Sequence, residues 1–290
     1  MSAPDGVSIR EMTFSDIPAG VSLCRASHWN QTERDWEHFL VAAPRGALVA
    51  VENGSVIGTV ATMPYESFTW LSMLLVNPAA RGRGVGTLLL QRGLSLMDEG
   101  VATRLDATSA GEPIYRGLGF VAEYRIARLF LPRGSVFTTD RGASRPSVAR
   151  LLTRADWPAV LDKDLHAFGG SRASLLERLA ADAPEYAWSS ERDGRLNGHL
   201  LGRHGAVREH LGPLIADSDE TAWQLLGTCL AAHPDRDFFI DVPDDQQSWR
   251  ARLDQLGFAI DRPFLRMYRG RLTAAGQPSR VYAITGAEFG

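Results

Sequence analysis

The apolar positions of the first 131 residues change period several times, from every second residue to every third or fourth. Val7 to Arg10 alternates and predicts a short strand. Ser15-Asp16 offers a helix cap ahead of an apolar run through Leu23, and Gln31 to Ala43 carries Trp36, Phe39 and Leu40 at helical spacing. Ala47 to Glu52 and Val56 to Met63 predict two strands around Asn53-Gly54, a dipeptide suited to a tight hairpin turn. Ser67 to Val76 reads as a further strand. Gly84 to Met97 follows as an amphipathic helix, with Leu88, Leu89, Leu94 and Met97 available for its buried face. Thr103 to Ala107 predicts a strand, Pro113 to Leu118 a short helix and Val121 to Leu131 a last strand.

A polar stretch bearing Gly, Ser and Pro, Pro132 to Pro146, reads as a linker, and beyond it the plan recurs. Asp193-Gly194 followed by Gly198 echoes Gly54 followed by Gly58, an offset of 140. Leu256-Gly257-Phe258 echoes Leu118-Gly119-Phe120, an offset of 138. The near-equal offsets predict an internal duplication, with domains over 1–135 and 148–290 and a linker over 136–147. The fold class expected is α/β, with a mostly antiparallel mixed sheet flanked by helices in each half.

Composition narrows the function classes. A length of 290 residues accommodates two domains, and 44% apolar with 22% charged residues is an ordinary globular balance. A net charge of -3 argues against nucleic acid as a partner. Lys163 is the only lysine, so the positive charge is carried by arginine. Cys24 and Cys229 fit no metal or redox spacing and read as buried thiols in a reducing compartment; no metal is expected. The start lacks a signal-peptide pattern and no apolar run is long enough for a membrane span, so no membrane partner and a cytoplasmic location are expected.

The chemistry concentrates in Leu74-Leu75-Val76-Asn77-Pro78-Ala79-Ala80-Arg81-Gly82-Arg83-Gly84-Val85-Gly86-Thr87. An apolar strand ends at a proline, a glycine-rich loop follows, and a helix begins. Such a loop can turn successive N–H groups toward one point, and the helix start adds unpaired donors and partial positive charge. Glycine is needed because a Cβ would block close approach. Arg81 and Arg83 add charge, so the pattern asks for a phosphate or pyrophosphate. A P-loop would need lysine and then Ser or Thr after its last glycine, whereas Gly86 precedes Thr87 and Leu88. A dinucleotide fingerprint would need Gly-x-Gly-x-x-Gly, whereas Gly82, Gly84 and Gly86 alternate.

The loop resembles the Arg/Gln-x-x-Gly-x-Gly/Ala signature of the GNAT acyltransferase superfamily, at Arg81, Gly84 and Gly86. Ile114-Tyr115-Arg116-Gly117-Leu118-Gly119-Phe120 is similar to that family's Tyr-x-x-x-Gly-Phe segment, and the two motifs anchor a resemblance over about residues 7 to 131. The resemblance implies that the loop, Arg81 to Thr87, binds the pyrophosphate of acetyl-CoA, and that Leu74, Leu75 and Val76 pair their backbone with the pantetheine arm. It also implies that Tyr115 protonates the departing thiolate after direct attack by an amine, with a backbone donor from the strand stabilising the oxyanion. Thr108 stands where many members have a pantetheine-binding asparagine, and a hydroxyl could serve there. Trp70 occupies the position of the catalytic glutamate of histone-type members, which leaves no carboxylate base at that point. Glu66, His28 and Asp106 are nearby in sequence.

The second half resembles the C-terminal domain of two-domain, YitH-type GNAT proteins in Leu211 to Ala216, Phe239 to Pro243 and Leu256 to Phe258. Aligning Gly198 on Gly58 sets Thr221, Gln224 and Leu226 against Arg81, Gly84 and Gly86, which leaves no phosphate cradle. This half is expected to complete or cover the acceptor pocket, or to serve as an interface. Asp164, His166, Arg172, His204 and Asp241 are its polar residues of interest, and the tail from Pro278 to Gly290 is apolar enough to return to the first half. The sequence therefore predicts an N-acetyltransferase acting on a small amine. A CoA-binding sensor without turnover and an assembly protein, including a homodimer, stay open as rivals.

Overall fold

A computed structural model describes residues 6–97, 100–135 and 148–290 of the chain; the expected linker, 136–147, lies outside the described residues. The first half runs β1 (Val7–Glu11), α1 (Ile17–Ala26), α2 (Glu33–Ala42), β2 (Ala47–Glu52), β3 (Ser55–Tyr65), β4 (Phe68–Val76), α3 (Val85–Leu94), β5 (Ala102–Ala107), α4 (Glu112–Gly117) and β6 (Val121–Leu131). The second runs β7 (Val148–Leu151), α5 (Trp157–Phe168), α6 (Ala173–Asp182), β8 (Trp188–Arg192), β9 (Arg195–Arg203), β10 (Glu209–Ala216), α7 (Asp219–Ala232), β11 (Phe238–Pro243), α8 (Gln247–Leu256), β12 (Ala259–Arg269) and β13 (Val281–Ala283).

The duplication is visible in detail. Arg10 pairs with Asp16, whose carboxylate also takes the N–H and hydroxyl of Thr13; Arg150, Asp156 and Thr153 repeat the arrangement 140 residues later. Each set fixes the entry to a helix that opens on a proline at its second position, Pro18 or Pro158. The hairpin turns match too: Asn53-Gly54 and Asp193-Gly194 hold positive φ at both positions, as the tight hairpin turn requires. Helix α3 stops at Leu94, short of the expected Met97, and its buried face is Val85, Leu89, Leu90 and Gly93, with Leu88 only half-buried.

The two sheets are continuous. Strand order is β1-β2-β3-β4-β5-β12-β6-β11-β10-β9-β8-β7, with β13 on β10. The halves have exchanged their last long strands: β12 pairs β5 over Leu265↔Ala107 to Arg269↔Thr103, and β6 pairs β11 over Phe238↔Leu131 to Pro243↔Ile126. At the centre β6 and β12 pair with each other. Leu265 and Met267 of β12 consequently sit in a core with Leu71, Leu89, Leu105 and Phe120 of the first half.

Candidate functional site

Strands β4 and β5 run parallel for three rungs only, Phe68↔Ala102, Thr69↔Thr103 and Trp70↔Arg104. Beyond Trp70 they separate, and the edge of β4 from Leu71 to Val76 has no strand partner on that side among the described residues. A bulge drives the separation. The β3–β4 register shifts between Thr59 and Ala61, Met73 takes φ of 52°, and the Thr59 hydroxyl donates to its carbonyl at 2.8 Å. An extra residue in one strand bends it away from its neighbour. The result is a fork whose open edge carries Leu74, Leu75 and Val76.

The open end of the fork leads into the glycine-rich loop. Gly82 and Gly84 hold φ of 76° and 83°, a region that a side chain makes costly, and Gly84 is the N-cap of α3. The N–H groups of Gly84, Val85, Gly86 and Thr87 have no acceptor among the described residues; the first turn closes only at Leu88, whose N–H reaches Gly84 O at 3.0 Å. Four orphaned donors at a helix start make an anion cradle. Gly86 lies against β4: a Cβ there would stand 3.4 Å from Val76 Cγ2. Arg81 donates Nε to Val76 O at 3.1 Å, tying the loop to the end of β4. Arg83 is paired with Glu52, so its charge is partly spent at the loop's outer side.

Tyr115 stands on α4 with its ring edge to Phe120 and its backbone beside Gly111, where a Cβ would come within 2.9 Å of the ring. It is 9% exposed, burial pushes its phenol up to about 12, and its hydroxyl has no hydrogen-bond partner among the described residues. Thr108 accepts the Gly111 N–H at 3.3 Å and so closes the turn that leads into α4. Both lie just past the end of β5, on the far arm of the fork.

The other candidates are placed less favourably. Asp106 is held by both nitrogens of an Arg266 fork, at 2.8 and 2.9 Å, which makes it an ion-pair partner and not a free base. Glu66 is exposed in the β3–β4 turn, beyond the closed end of the fork, and His28 is exposed in the α1–α2 connection. Trp70 packs under the Arg266 guanidinium at 4.7 Å and donates Nε1 to Ala287 O at 3.1 Å.

The tail does return to the first half. Tyr65 donates to Phe289 O at 2.8 Å, and Phe289 stacks on Phe39 with ring centroids 5.0 Å apart. Arg172 explains its own odd position at a helix start: it is buried against Asp164 at 2.8 and 2.9 Å, with Nη1 donating to Thr285 and Gly290. Asp241 is buried in a pair with Arg128 at 2.7 Å. His204 contacts Glu209, whereas His166 is exposed and contacts Asp162 on its own helix, so neither belongs to this site.

The second half has the same fork and has closed it. Strands β10 and β11 pair in parallel from Glu209↔Phe238 to Leu211↔Ile240, and β10 then shifts register between Leu211 and Leu214. Into the gap runs β13, pairing Leu214↔Ala283 and Ile215↔Val281, with Ile284 bridging to Asp241. A Cβ on Gly212 would strike the carbonyl of Ile284, so the tail lies directly on the bulge. Only Asp217 and Ser218 separate β10 from α7; Thr221, Gln224 and Leu226 fall inside that helix, and Ser218 caps it through the Thr221 N–H. Two residues of the first fork escape a reading by motif. Among the described residues the Ser72 hydroxyl, a polar group within an apolar strand at the fork, has no hydrogen-bond partner, and Arg104 Nη1 is also without one. A serine in Trp70-Leu71-Ser72-Met73-Leu74-Leu75 and an arginine in Ala102 to Ala107 are the available sequence signals.

Among the described residues no helix is long and apolar enough to cross a membrane. Sequence comparison matches residues 13–120 to the acetyltransferase (GNAT) family and residues 160–283 to an acetyltransferase (GNAT) domain. The uncharacterized N-acetyltransferase YitH of Bacillus subtilis (strain 168) is 27% identical over 92% of this chain and 93% of its own length. A crystal structure from Pyrococcus horikoshii, assigned to the acetyltransferases, superposes with a TM-score of 0.81 at 25% identity, over 100% of this chain and 98% of the other. A tandem GNAT protein from the clavulanic acid biosynthesis pathway shares the fold with a TM-score of 0.65 at 15% identity, over 91% and 98% of the two chains. With a splayed fork and an anion cradle in its first half, and a closed copy of that fork in its second, the chain belongs to the GNAT acetyltransferases as a tandem-domain N-acetyltransferase.

Proposed function

We propose that the first half binds acyl-CoA, acetyl-CoA by default, and transfers the acyl group to the primary amine of a small acceptor by direct attack. The observation that carries this reading is the set of four unpaired amides, Gly84 to Thr87, at the open end of the β4–β5 fork. They would hold the diphosphate, with Arg81, Gly82 and Arg83 around them. The unpaired edge of β4 at Leu74, Leu75 and Val76 would accept the pantetheine arm as an added strand. The thioester supplies an activated carbonyl carbon.

In this reading the chain contributes position, charge and one proton. A backbone N–H on the open edge of β4 would face the thioester oxygen, where negative charge develops. The amine forms its bond to the acyl carbon as the carbon–sulfur bond breaks; it gives up a proton to water, and sulfur takes one from Tyr115. Burial holds Tyr115 near 12, so it stays protonated at neutral pH and can act as an acid. No carboxylate base is assigned, since Asp106 is committed to Arg266 and Trp70 is capped by the tail. The second half would serve as a wall: β12 contributes to the first core, and the tail covers Trp70.

Release of free thiol from acetyl-CoA across a panel of amines tests the reading. Turnover on at least one amine, reduced together with CoA affinity when Gly84 is replaced, is the expected result. CoA binding with no turnover on any amine would favour a sensor instead.

A further inference from the structure

We propose that Ser72 limits the length of the acyl chain in the first fork, so that acetyl is accepted and butyryl or longer chains are refused. The reaction itself rests on the acyl-transfer reading. The placing of Ser72 rests on the second half, whose fork shows what an extended segment does in such a gap.

The two forks share one register. The rungs Met63↔Trp70, Thr62↔Leu71, Thr59↔Leu75 and Gly58↔Val76 recur 140 residues later as Arg203↔His210, Gly202↔Leu211, His199↔Ile215 and Gly198↔Ala216. Leu74 and Leu75 therefore correspond to Leu214 and Ile215, and Ser72 corresponds to Gly212. In the second half the tail enters at the open end and runs antiparallel to β10, pairing Val281 with Ile215 and Ala283 with Leu214. It takes the edge that the arm of CoA would take in the first half. The next residue, Ile284, donates its N–H to Asp241 O at 2.9 Å, which joins the tail to the other arm of the fork. Its carbonyl lies so close to Gly212 that no Cβ fits there. The tail passes this point because residue 212 is glycine.

The first fork has a side chain at that point. An arm following the same path beside Leu75 and Leu74 brings its thioester end to Ser72, whose side chain fills the room through which the tail continues in the second half. Toward the closed end, the Trp70↔Arg104 rung shuts the gap. Trp70 is fully buried, and a Cβ on Gly290 would stand 3.0 Å from its ring, so the indole cannot yield on that side. The space for an acyl group is thus bounded by Ser72 and Trp70, and each added methylene has to displace one of them. The Ser72 hydroxyl adds a second penalty. It has no hydrogen-bond partner among the described residues, and an alkyl chain laid over it would leave it without one.

Two measurements on the full chain and on Ser72→Gly, Ser72→Ala and Ser72→Val test the gate. The first is thiol release from acetyl-, propionyl-, butyryl- and hexanoyl-CoA with an amine that the protein uses. The second is Kd for the same series by calorimetry without amine, with free CoA and thermal melts as controls for the cradle and the fold. One methylene in a fitted apolar pocket changes kcat/KM by roughly 10- to 200-fold, and the unaltered chain should lose at least that from acetyl to butyryl. Ser72→Gly should raise the butyryl-to-acetyl ratio by about 10-fold or more, Ser72→Ala by less, and Ser72→Val should depress the use of acetyl-CoA itself. Free CoA should bind every variant alike. One length profile shared by the unaltered chain and the Gly and Ala variants overturns the gate and leaves acyl transfer intact. If no amine is acylated from any donor, the transfer reading fails and Kd decides the gate. A Kd that worsens from acetyl to butyryl, and does so no longer in Ser72→Gly, supports it; a Kd indifferent to length overturns it.

Discussion

At the scale of single residues, the backbone of the loop matters more than its side chains. Gly84 caps α3 at φ of 83°, where a β-branched residue is strained by roughly 1–3 kcal/mol. Gly84→Val should therefore weaken CoA binding about 10- to 100-fold, read by calorimetry, while circular dichroism stays native. Tyr115→Phe should lower kcat by roughly 100-fold or more with CoA affinity unchanged; normal turnover would remove Tyr115 from the chemistry. The loop was legible because glycine spacing directly encodes backbone conformation. Arg83 was legible as a charge but not as a partner of Glu52, since that contact crosses to β2. Arg104 and Ser72 were invisible as candidates, because what distinguishes them is an unfilled hydrogen bond, a property of the packed molecule.

At the scale of elements, the sequence carries the fork's arms but not its opening. Strand and helix positions in the first half follow from periodicity, and β6 runs over Val121–Leu131, the residues expected for it. The bulge at Met73 leaves no such mark, because its positive φ is imposed on a residue that rarely takes it. The duplication is clearer than its two glycine echoes suggest. The Arg10, Thr13 and Asp16 set recurs at Arg150, Thr153 and Asp156, and those letters are visible in the sequence. The closing of the second fork makes a separate prediction. Gly212→Ala would push its methyl into the Ile284 carbonyl and lift β13 from the bulge, at a cost of about 1–3 kcal/mol in urea unfolding. An unchanged midpoint would show that the tail is not seated there.

At the scale of the whole molecule, strand exchange makes the two halves one folding unit. A chain cut after Ser135 would lack Leu265 and Met267 from its first core and expose the edge of β5 that β12 covers. It should aggregate or stay unfolded, whereas the full chain should unfold in one transition by calorimetry. Exchange could not be read from the sequence, since β6 and β12 have the same pattern whichever half they join. The buried ion pairs along the junction give a pH signature. His210 is buried beside Arg203, and burial holds its pKa well below the ordinary value. The unfolded chain takes up this proton near pH 6.5 while the folded chain does not. The stability that His210 contributes is thus complete above that pH and falls below it, by about 1.4 kcal/mol per pH unit. Replacing His210 with Gln should flatten the slope between pH 6.5 and 5 in denaturant titrations; an unchanged slope would place the proton elsewhere.

The most direct test of acyl-CoA capture by the first half is calorimetric titration of the full chain with acetyl-CoA, beside its Gly84→Val variant. One molecule bound per chain, lost or strongly weakened in the variant, is the outcome expected from an open cradle in the first half and a fork closed by β13 in the second. No heat with the wild-type chain, or two equivalent sites per chain, would contradict it.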